Sequence, residues 1–416
     1  MKKTHPNTDI AELVHGFLKE RERGIEERPI RASSDPFWKS LKETGSDLWF
    51  DTGDIEAAGQ VWSSEFSALT TNNTLLNAEV QKGIYDDFIG EASRMLFSLP
   101  IDERVLEIAF ILNAYHGLRL VKRFGGRVSV ELHTALSDDI DGTIRYARRF
   151  QRISPDHFIV KVPLTPSGYI ATRTLRKENV PVNFTLGFSA RHNYIAASFS
   201  VPSFVNVFLG RLNSYVSGNG LGDGRMVGEK ATISSQQVVR ELSKKSTTGT
   251  RQIAASLRED SQVQDLAGVD VLTIPVQVAR SARKELSGQF ESRVLREYQV
   301  RLSQDIDEKA VGIHRLWEVT DKEKKFVERI SSEVPKSAGE FIAQAHEAGL
   351  TDLFPRFSPE ELKAIAGDGK IPKHKRWEDR VKRHESAVDS LINLAGLASF
   401  AESQRELDDR VRKLIS

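Results

Sequence analysis

The chain has 416 residues, 39% of them hydrophobic, so it can bury the core of one large α/β barrel or of two or three ordinary domains. Its 59 lysine and arginine residues against 58 acidic residues leave a formal charge of +1, which excludes a global field that would attract nucleic acid or an anionic membrane. The absence of cysteine excludes disulfides, thiolate nucleophiles and cysteine-ligated zinc.

Membrane and secretion signals are also missing from the sequence. No apolar run approaches the ~18 residues that a spanning helix needs, and no apolar segment follows the basic residues after Met1. We therefore expect a cytoplasmic protein with no nucleic-acid or membrane partner.

Short apolar runs rich in β-branched residues recur along the first two thirds of the chain, with room for a helix between them. Eight such runs predict strands at residues 48–52, 68–71, 128–132, 158–163, 182–187, 204–210, 252–256 and 271–275. Helix-start residues precede several of the intervening segments, and they predict helices at residues 55–66, 103–123, 140–149 and 168–177.

This alternation predicts an α/β protein with a (β/α)₈ TIM barrel, and a doubly wound open sheet is the alternative. We assign residues 1–45 to an N-terminal helical arm, 46–290 to the barrel and 291–416 to a C-terminal helical region that packs on the barrel. Residues 321–373 read as an insertion that could carry the contact of a homo-oligomer.

One lysine stands inside an otherwise apolar strand, Phe158-Ile159-Val160-Lys161-Val162-Pro163. Burial disfavours the charged form of an amine, so a desolvated lysine becomes a usable nucleophile for a carbonyl carbon. The alternative is a lysine at a strand end whose stem packs on apolar surface while its ammonium reaches water.

Other polar residues follow the predicted strands, at the end of a barrel where active sites lie. They include carboxylates (Asp51, Glu131), amides and cations, a combination that indicates sugar-phosphate chemistry. Each also has a purely structural interpretation: Asp51 as a helix cap, Glu131 as an ion-pair partner of Lys161, and Arg211 and Arg258 as structural ion pairs.

Several ordered motifs resemble the transaldolase family. They are LWFDTGD (48–54), LTTN (69–72), VSVEL (128–132), FIVKVPLTPSG (158–168), VNFTLGFS (182–189), FLGRLN (208–213), AASLR (254–258), AGVDVLTIP (267–275) and the C-terminal segment 387–415. The resemblance implies that Lys161 forms a Schiff base with a ketose phosphate and that Asp51 acts as general acid and base. It also implies that Glu131, with Thr185, handles a water molecule.

The residues implied for substrate binding are amides for hydroxyl groups and a phosphate clamp: Asn72, Asn183, Ser189, Arg211, Ser256 and Arg258. The implied reaction moves a dihydroxyacetone unit from sedoheptulose 7-phosphate or fructose 6-phosphate to an aldose phosphate, as in the pentose phosphate pathway. It requires no metal or organic cofactor. The alternatives are a lyase that releases free dihydroxyacetone, like the fructose 6-phosphate aldolases, and a catalytically weak sugar-phosphate-binding protein.

The chain departs from the family pattern at several positions near these motifs. Asn73 stands where the family usually has proline, and His133 where it often has aspartate. Ala190 replaces an aromatic residue, and Arg191 could add a positive charge near the phosphate. These changes leave the choice of donor and acceptor open.

Overall fold

The eight apolar runs form eight parallel strands that close into a barrel, with each strand beside its neighbour in sequence and β1 paired with β8. The computed structural model describes residues 6–245 and 249–416. Within them, the strands are β1 (Asp47–Asp51), β2 (Phe66–Thr70), β3 (Arg127–Glu131), β4 (Phe158–Pro163), β5 (Val182–Thr185), β6 (Phe204–Phe208), β7 (Arg251–Ala255) and β8 (Val271–Pro275). The prediction of a (β/α)₈ barrel is confirmed, and the open-sheet alternative is wrong.

The barrel interior is layered because residues two apart on a strand share a face. In the lower layer the rings of Trp49 and Phe204 meet at 4.8 Å between centroids, and the guanidinium of Arg127 packs over both rings. Two residues further along β1 and β6, the same interior positions hold Asp51 and Asn206. An apolar floor therefore supports a polar layer at the carboxyl ends of the strands.

Helices connect the strands and cover the barrel. In chain order up to the end of the barrel they are α1 (Pro6–Arg23), α2 (Pro36–Glu43), α3 (Ile55–Gly59), α4 (Asn73–Gln81), α5 (Asp86–Met95), α6 (Ile101–Phe124), α7 (Ile140–Ile153), α8 (Pro166–Lys177), α9 (Ala190–Ile195), α10 (Leu209–Gly218), α11 (Val227–Lys245), α12 (Ser261–Asp265) and α13 (Val276–Glu285). Short turns of other helix types occur at Thr134–Leu136, Ala196–Ser200 and Ile313–Leu316.

One predicted helix is much shorter than expected. Asp54 caps α3 as the sequence indicates, since its side chain accepts a hydrogen bond from the Ala57 amide, but the helix ends at Gly59 instead of residue 66. Phe66 instead begins β2, where its ring stacks on that of Phe50 at 3.8 Å between centroids. The tertiary contact between two aromatic rings overrides the local helical preference here.

The region beyond the barrel contains α14 (Asp321–Ser332), α15 (Ala338–Glu347), α16 (Pro359–Gly367), α17 (His374–Lys382) and α18 (Val388–Ile415). Within the described chain, residues 286–312 contain no helix, although residues from 291 onward were assigned to a helical region. A continuous apolar core runs from Val14 in α1 to Val411 in α18. The three domain boundaries therefore stay predictions.

The last helix, α18, lies against the barrel mouth. The side-chain amide of Asn393 donates to the carbonyls of Leu164 and Leu186, at 3.2 and 2.8 Å, just beyond β4 and β5. These carbonyls follow the strand ends and would otherwise lack ladder partners, so one asparagine ties the helix to two strands.

None of the helices in the described part of the chain is both long enough and apolar enough to cross a lipid bilayer.

Candidate active site

A cavity of about 200 Å³ opens at the carboxyl ends of the strands. Its volume lies below the range of drug-sized ligand pockets, which suits one small polar molecule. Seven of the residues singled out in the sequence line it: Asp51, Asn72, Lys161, Asn183, Arg211, Ser256 and Arg258. The barrel thus brings together side chains from six of its strand ends.

Lys161 lies at the inner end of this cavity and is 3% exposed. Its neighbours across the sheet are Glu131 on β3 and Asn183 on β5, which are its register partners. Its ammonium donates a hydrogen bond of 2.8 Å to the carbonyl of Thr71, beyond the end of β2. The amine therefore points into the cavity, and the interpretation in which it reaches bulk water is wrong.

Asp51 lines the same cavity from β1. Burial raises the pKa of its carboxyl group, while the charge of Lys161 and a hydrogen bond of 2.7 Å from the Thr70 hydroxyl oppose that rise. The Thr70 hydroxyl also lies 2.7 Å from that of Thr273 on β8. Asp54, rather than Asp51, caps the following helix, so the purely structural interpretation of Asp51 is wrong.

Glu131 is 1% exposed and lies beside Lys161. Burial raises the pKa of Glu131, whereas Lys161 and the backbone amide of Asn73, which donates at 3.0 Å, lower it. A proline at position 73 could not make this hydrogen bond because it has no N–H. The departure at Asn73 therefore gives Glu131 an additional fixed donor.

Thr185 ends β5, fully buried, and is not among the residues that line the cavity. Its hydroxyl has no hydrogen-bond partner among the residues that the structure describes. A buried, unpaired hydroxyl is costly, which is a reason to expect a small polar molecule beside it.

Three amide side chains surround the lysine. The side-chain oxygen of Asn72 accepts a hydrogen bond from the Leu75 amide at the start of α4, and this contact turns the side-chain NH₂ group of Asn72 toward the cavity. Asn183 donates to the Ser129 hydroxyl at 3.1 Å, and Asn206 lies 3.4 Å from the Asn183 oxygen. These fixed amides can hold hydroxyl groups without competing for a proton.

Two arginines form the cationic side of the cavity. Burial lowers the pKa of Arg211 to about 10, the nearby Arg258 acts in the same direction, and Glu131 opposes it. One Arg211 nitrogen, Nη1, has no hydrogen-bond partner within the described residues. Arg258 donates to the Ser214 hydroxyl at 2.9 Å, and no carboxylate of the described residues pairs with either arginine. The interpretation as structural ion pairs is therefore wrong.

The two arginines are held close by a glycine in α10. A Cβ atom on Gly210 would lie 2.2 Å from the Ser256 carbonyl and 2.9 Å from the Arg258 side chain. Only glycine lets the start of α10 approach the end of β7 this closely. Ser256 itself has a φ of +63°, a left-handed conformation that is uncommon outside glycine and often marks functional sites.

Ser189 and Arg191 lie outside the lining of the cavity, as Glu131 and Thr185 do. Ser189 is fully buried as the cap of α9, where its hydroxyl accepts from the His192 amide at 3.2 Å. Arg191 is also fully buried, and its guanidinium is bound to Asp389 and Asp352 at 2.8 Å each. The expectation of an added charge near the phosphate is wrong, because Arg191 is neutralised by these carboxylates.

His133 makes close polar contacts through both of its ring nitrogens. Its Nδ1 accepts from the Ala135 amide at 3.1 Å, and its Nε2 lies 3.1 Å from an Asp408 oxygen in α18. Both ring nitrogens are therefore engaged in fixing the C-terminal helix next to β3.

The cavity-lining residues that sequence reasoning missed include Thr70, Asn206, Lys370 and Phe400. Asn206 carries the same signal as Lys161, a polar residue inside an apolar strand. The ring of Phe400, in α18, lies 5.5 Å from the Arg211 guanidinium carbon. Neither Phe400 nor Lys370 follows a predicted strand, so the strand-end rule could not find them.

Comparison with known proteins agrees with this architecture. A family model described as "Transaldolase/Fructose-6-phosphate aldolase" matches residues 48–336. The chain is 31% identical to the transaldolase of Prochlorococcus marinus (strain NATL2A) over 236 residues, which are 54% of this chain and 70% of that protein.

Two further relatives are the transaldolases of Kluyveromyces lactis and Xanthomonas euvesicatoria pv. vesicatoria (strain 85-10). The first is 30% identical over 57% of this chain and 72% of that protein, and the second 29% identical over 54% and 71%. These similarities support an enzyme with a transaldolase-type function. The chain belongs to the transaldolase/fructose-6-phosphate aldolase family.

Proposed function

We propose that the protein is a transaldolase that transfers a dihydroxyacetone unit between sugar phosphates through a Schiff base on Lys161. The donor would be sedoheptulose 7-phosphate or fructose 6-phosphate, and the acceptor an aldose phosphate of the pentose phosphate pathway. The observation that carries the proposal is that the buried amine of Lys161 shares a cavity with the carboxyl group of Asp51 and has the buried carboxyl group of Glu131 beside it on β3.

The first step forms the iminium. The Lys161 amine attacks the keto carbon, and the resulting carbinolamine loses water once its hydroxyl is protonated. Glu131 suits this proton transfer, since burial raises the pKa of its carboxyl group. The Thr185 hydroxyl, which is unpaired at the end of β5, would hold the water that leaves and later returns.

The second step breaks a carbon–carbon bond. Asp51 removes the proton from the hydroxyl on the fourth carbon, the bond between the third and fourth carbons breaks, and its electron pair moves into the iminium to give an enamine. The aldehyde half leaves with the phosphate. The enamine then attacks the acceptor aldehyde, Asp51 returns the proton to the new hydroxyl, and water hydrolyses the iminium.

The phosphate group fixes the distance between the substrate and the lysine. Arg211 and Arg258 can hold it in forked, charge-assisted hydrogen bonds, and Ser256 lines the same cavity. The unpaired Nη1 of Arg211 would gain a partner when the anion binds. Ser189 is left out of this group because it caps α9 instead.

Borohydride trapping tests the Schiff base. The protein is incubated with fructose 6-phosphate, reduced, digested and analysed by mass spectrometry. We expect a covalent three-carbon adduct on the peptide that contains Lys161, because the enamine retains the dihydroxyacetone unit until an acceptor arrives. A wild-type protein that forms no adduct, or an adduct confined to other lysines, would contradict the proposal.

A second assay separates transfer from simple cleavage. Turnover of fructose 6-phosphate is measured with and without erythrose 4-phosphate or glyceraldehyde 3-phosphate. A transaldolase requires the acceptor, whereas a lyase releases free dihydroxyacetone at the same rate without it.

Thr70→Val tests the role of Asp51. The substitution removes the hydrogen bond that stabilises the Asp51 carboxylate, so the pKa of Asp51 rises further. Since Asp51 must be ionised to act as a base, we expect the acidic limb of the pH profile of kcat/KM to move to higher pH. Thr70→Ser keeps the hydroxyl and should keep the wild-type profile. An unchanged acidic limb in the valine variant would show that Asp51 does not control it.

A further inference from the structure

The region beyond the family match contributes a residue to the cavity. Lys370 lies in the turn between α16 and α17, within the segment 321–373, and it lines the same cavity as Lys161 and Arg211. The family match ends at residue 336. A charged side chain thus reaches the mouth of the site from a segment that the family match does not cover.

The turn is fixed to α10, the helix that carries Arg211. The Asn219 side chain, at the end of α10, donates to the Pro372 carbonyl at 3.0 Å and accepts from the His374 amide at 2.8 Å. The Tyr215 hydroxyl lies 2.7 Å from Nδ1 of His374. Three hydrogen bonds therefore set the position of the turn relative to the helix that presents the buried arginine.

In this turn the carboxylate of Asp368 is paired, whereas no described residue pairs with the ammonium of Lys370. Asp368 accepts from the Lys373 amide at 3.0 Å and pairs with Arg376 at 2.8 Å, and Gly369 supplies the positive φ of +76° that reverses the chain. No described residue forms a hydrogen bond or ion pair with the Lys370 ammonium. Its charge is therefore available to a ligand at the cavity mouth.

The charge balance at the mouth favours an anion with more than one negative charge. Arg211, Arg258 and Lys370 line the cavity, and the carboxylate that also lines it, Asp51, belongs to the polar layer inside the barrel. A phosphate monoester, which carries close to two negative charges at neutral pH, matches three cations better than a carboxylate does.

We propose that Lys370 is a third cationic ligand of the substrate's phosphate group, which makes residues 321–373 part of the substrate-binding site. The proposal deepens the proposed function and rests on it for the identity of the sugar. It adds that the segment favours phosphorylated over unphosphorylated substrates through a charge in the cavity that Arg211 and Arg258 also line.

Binding of inorganic phosphate tests this inference without any turnover. Isothermal titration calorimetry is performed on the full-length protein, wild type and Lys370→Ala. We expect the dissociation constant for phosphate to rise about fivefold, the upper range for one exposed charge pair, and Lys370→Arg to restore most of the affinity. Lys363→Ala is the matched control, since it removes an exposed lysine of α16 that does not line the cavity. An equal affinity in the Lys370→Ala and Lys363→Ala variants would overturn the proposal.

Steady-state kinetics provides the second readout. For fructose 6-phosphate, Lys370→Ala should raise KM about fivefold with little change in kcat, because a contact to the phosphate group stabilises the bound substrate and the transition state equally. With unphosphorylated fructose as donor, the variant and the wild type should have the same kcat/KM. A parallel loss with both donors would overturn the phosphate role. If the wild type lacks activity or a borohydride adduct, the proposed function fails, and the calorimetric result still decides the role of Lys370.

Discussion

Replacing Lys161 with alanine is expected to lower kcat by at least about four orders of magnitude and to abolish the borohydride adduct. The amine is the nucleophile of the proposed mechanism, and a bound water molecule cannot serve as the electron sink that the iminium provides. The measurement combines kcat from a coupled assay with mass spectrometry after reduction. Lys161→Arg keeps the positive charge beside Asp51 and Glu131 but offers no nucleophilic amine, so it should be equally inactive.

The Lys161→Ala and Lys161→Arg variants should differ in their stability against unfolding. Lys161 lowers the pKa of Asp51 and of Glu131, and burial alone raises both. In Lys161→Ala both pKa values should rise further, so ionising these carboxyl groups costs more in the folded state. The variant should therefore lose stability relative to the wild type as pH rises above about 4, where the unfolded carboxyl groups ionise. Denaturant unfolding at several pH values checks this. Turnover above about one per cent in Lys161→Ala would refute the nucleophile assignment.

Replacing Arg191 with alanine is expected to lower the free energy of unfolding by about 3–5 kcal/mol. The guanidinium makes two hydrogen bonds of 2.8 Å to Asp389 and one of 2.8 Å to Asp352, and all three side chains are nearly inaccessible to solvent. Its removal leaves two buried carboxylates without their partner. Since Asp352 follows α15 and Asp389 begins α18, the loss should also loosen the C-terminal region. Urea unfolding followed by circular dichroism measures the effect.

Arg152→Ala is the matched control for this experiment. Arg152 also makes a two-nitrogen ion pair, with Glu12, but the two side chains are 50% and 55% exposed. Such exposed pairs contribute little to stability, so the control should unfold almost like the wild type. Equal losses in the two alanine variants would contradict the view that burial sets the value of the Arg191 cluster.

The effect of Arg191→Ala should depend on pH. Burial alone would raise the pKa of Asp389, but the Arg191 guanidinium holds it well below its usual range. A depressed folded-state pKa contributes stability above the unfolded value of about 3.9, and that stability is lost as pH falls toward the folded value. The difference between wild type and variant should therefore be largest near neutral pH and smaller in acid.

Most of the barrel could be predicted because strands that are buried on both faces have continuous apolar runs. The bounds of β4 and β8 agree with the prediction, and Asp54, Asp139 and Thr165 cap helices after strands, as such residues are expected to do. Helices α4 and α5 were missed. The side chain of Asn72, read only as a substrate ligand, is also the cap of α4.

Several cavity residues at strand ends were found from the sequence, whereas residues that reach the cavity by tertiary packing were not. Lys161, Asp51 and Arg211 follow the rule that barrel sites lie at the carboxyl ends of strands. Lys370 and Phe400 line the cavity because α10 and α18 hold them there, and no local pattern marks such positions. Arg191 was misjudged because its three acidic neighbours come from segments 132 or more residues away in the chain, the nearest being Glu323.

The contacts of α18 with the start of the barrel also determine when the site can exist during synthesis. The Thr74 hydroxyl bonds to that of Ser403, and Asn77 bonds to Glu406, each across 329 residues of chain. The wall that Phe400 contributes to the cavity is therefore absent until α18 has left the ribosome. The amine that we propose as the nucleophile is thus enclosed only once α18 has packed, and the barrel emerging before α18 is expected to expose Lys161 to the aldehydes of the cell.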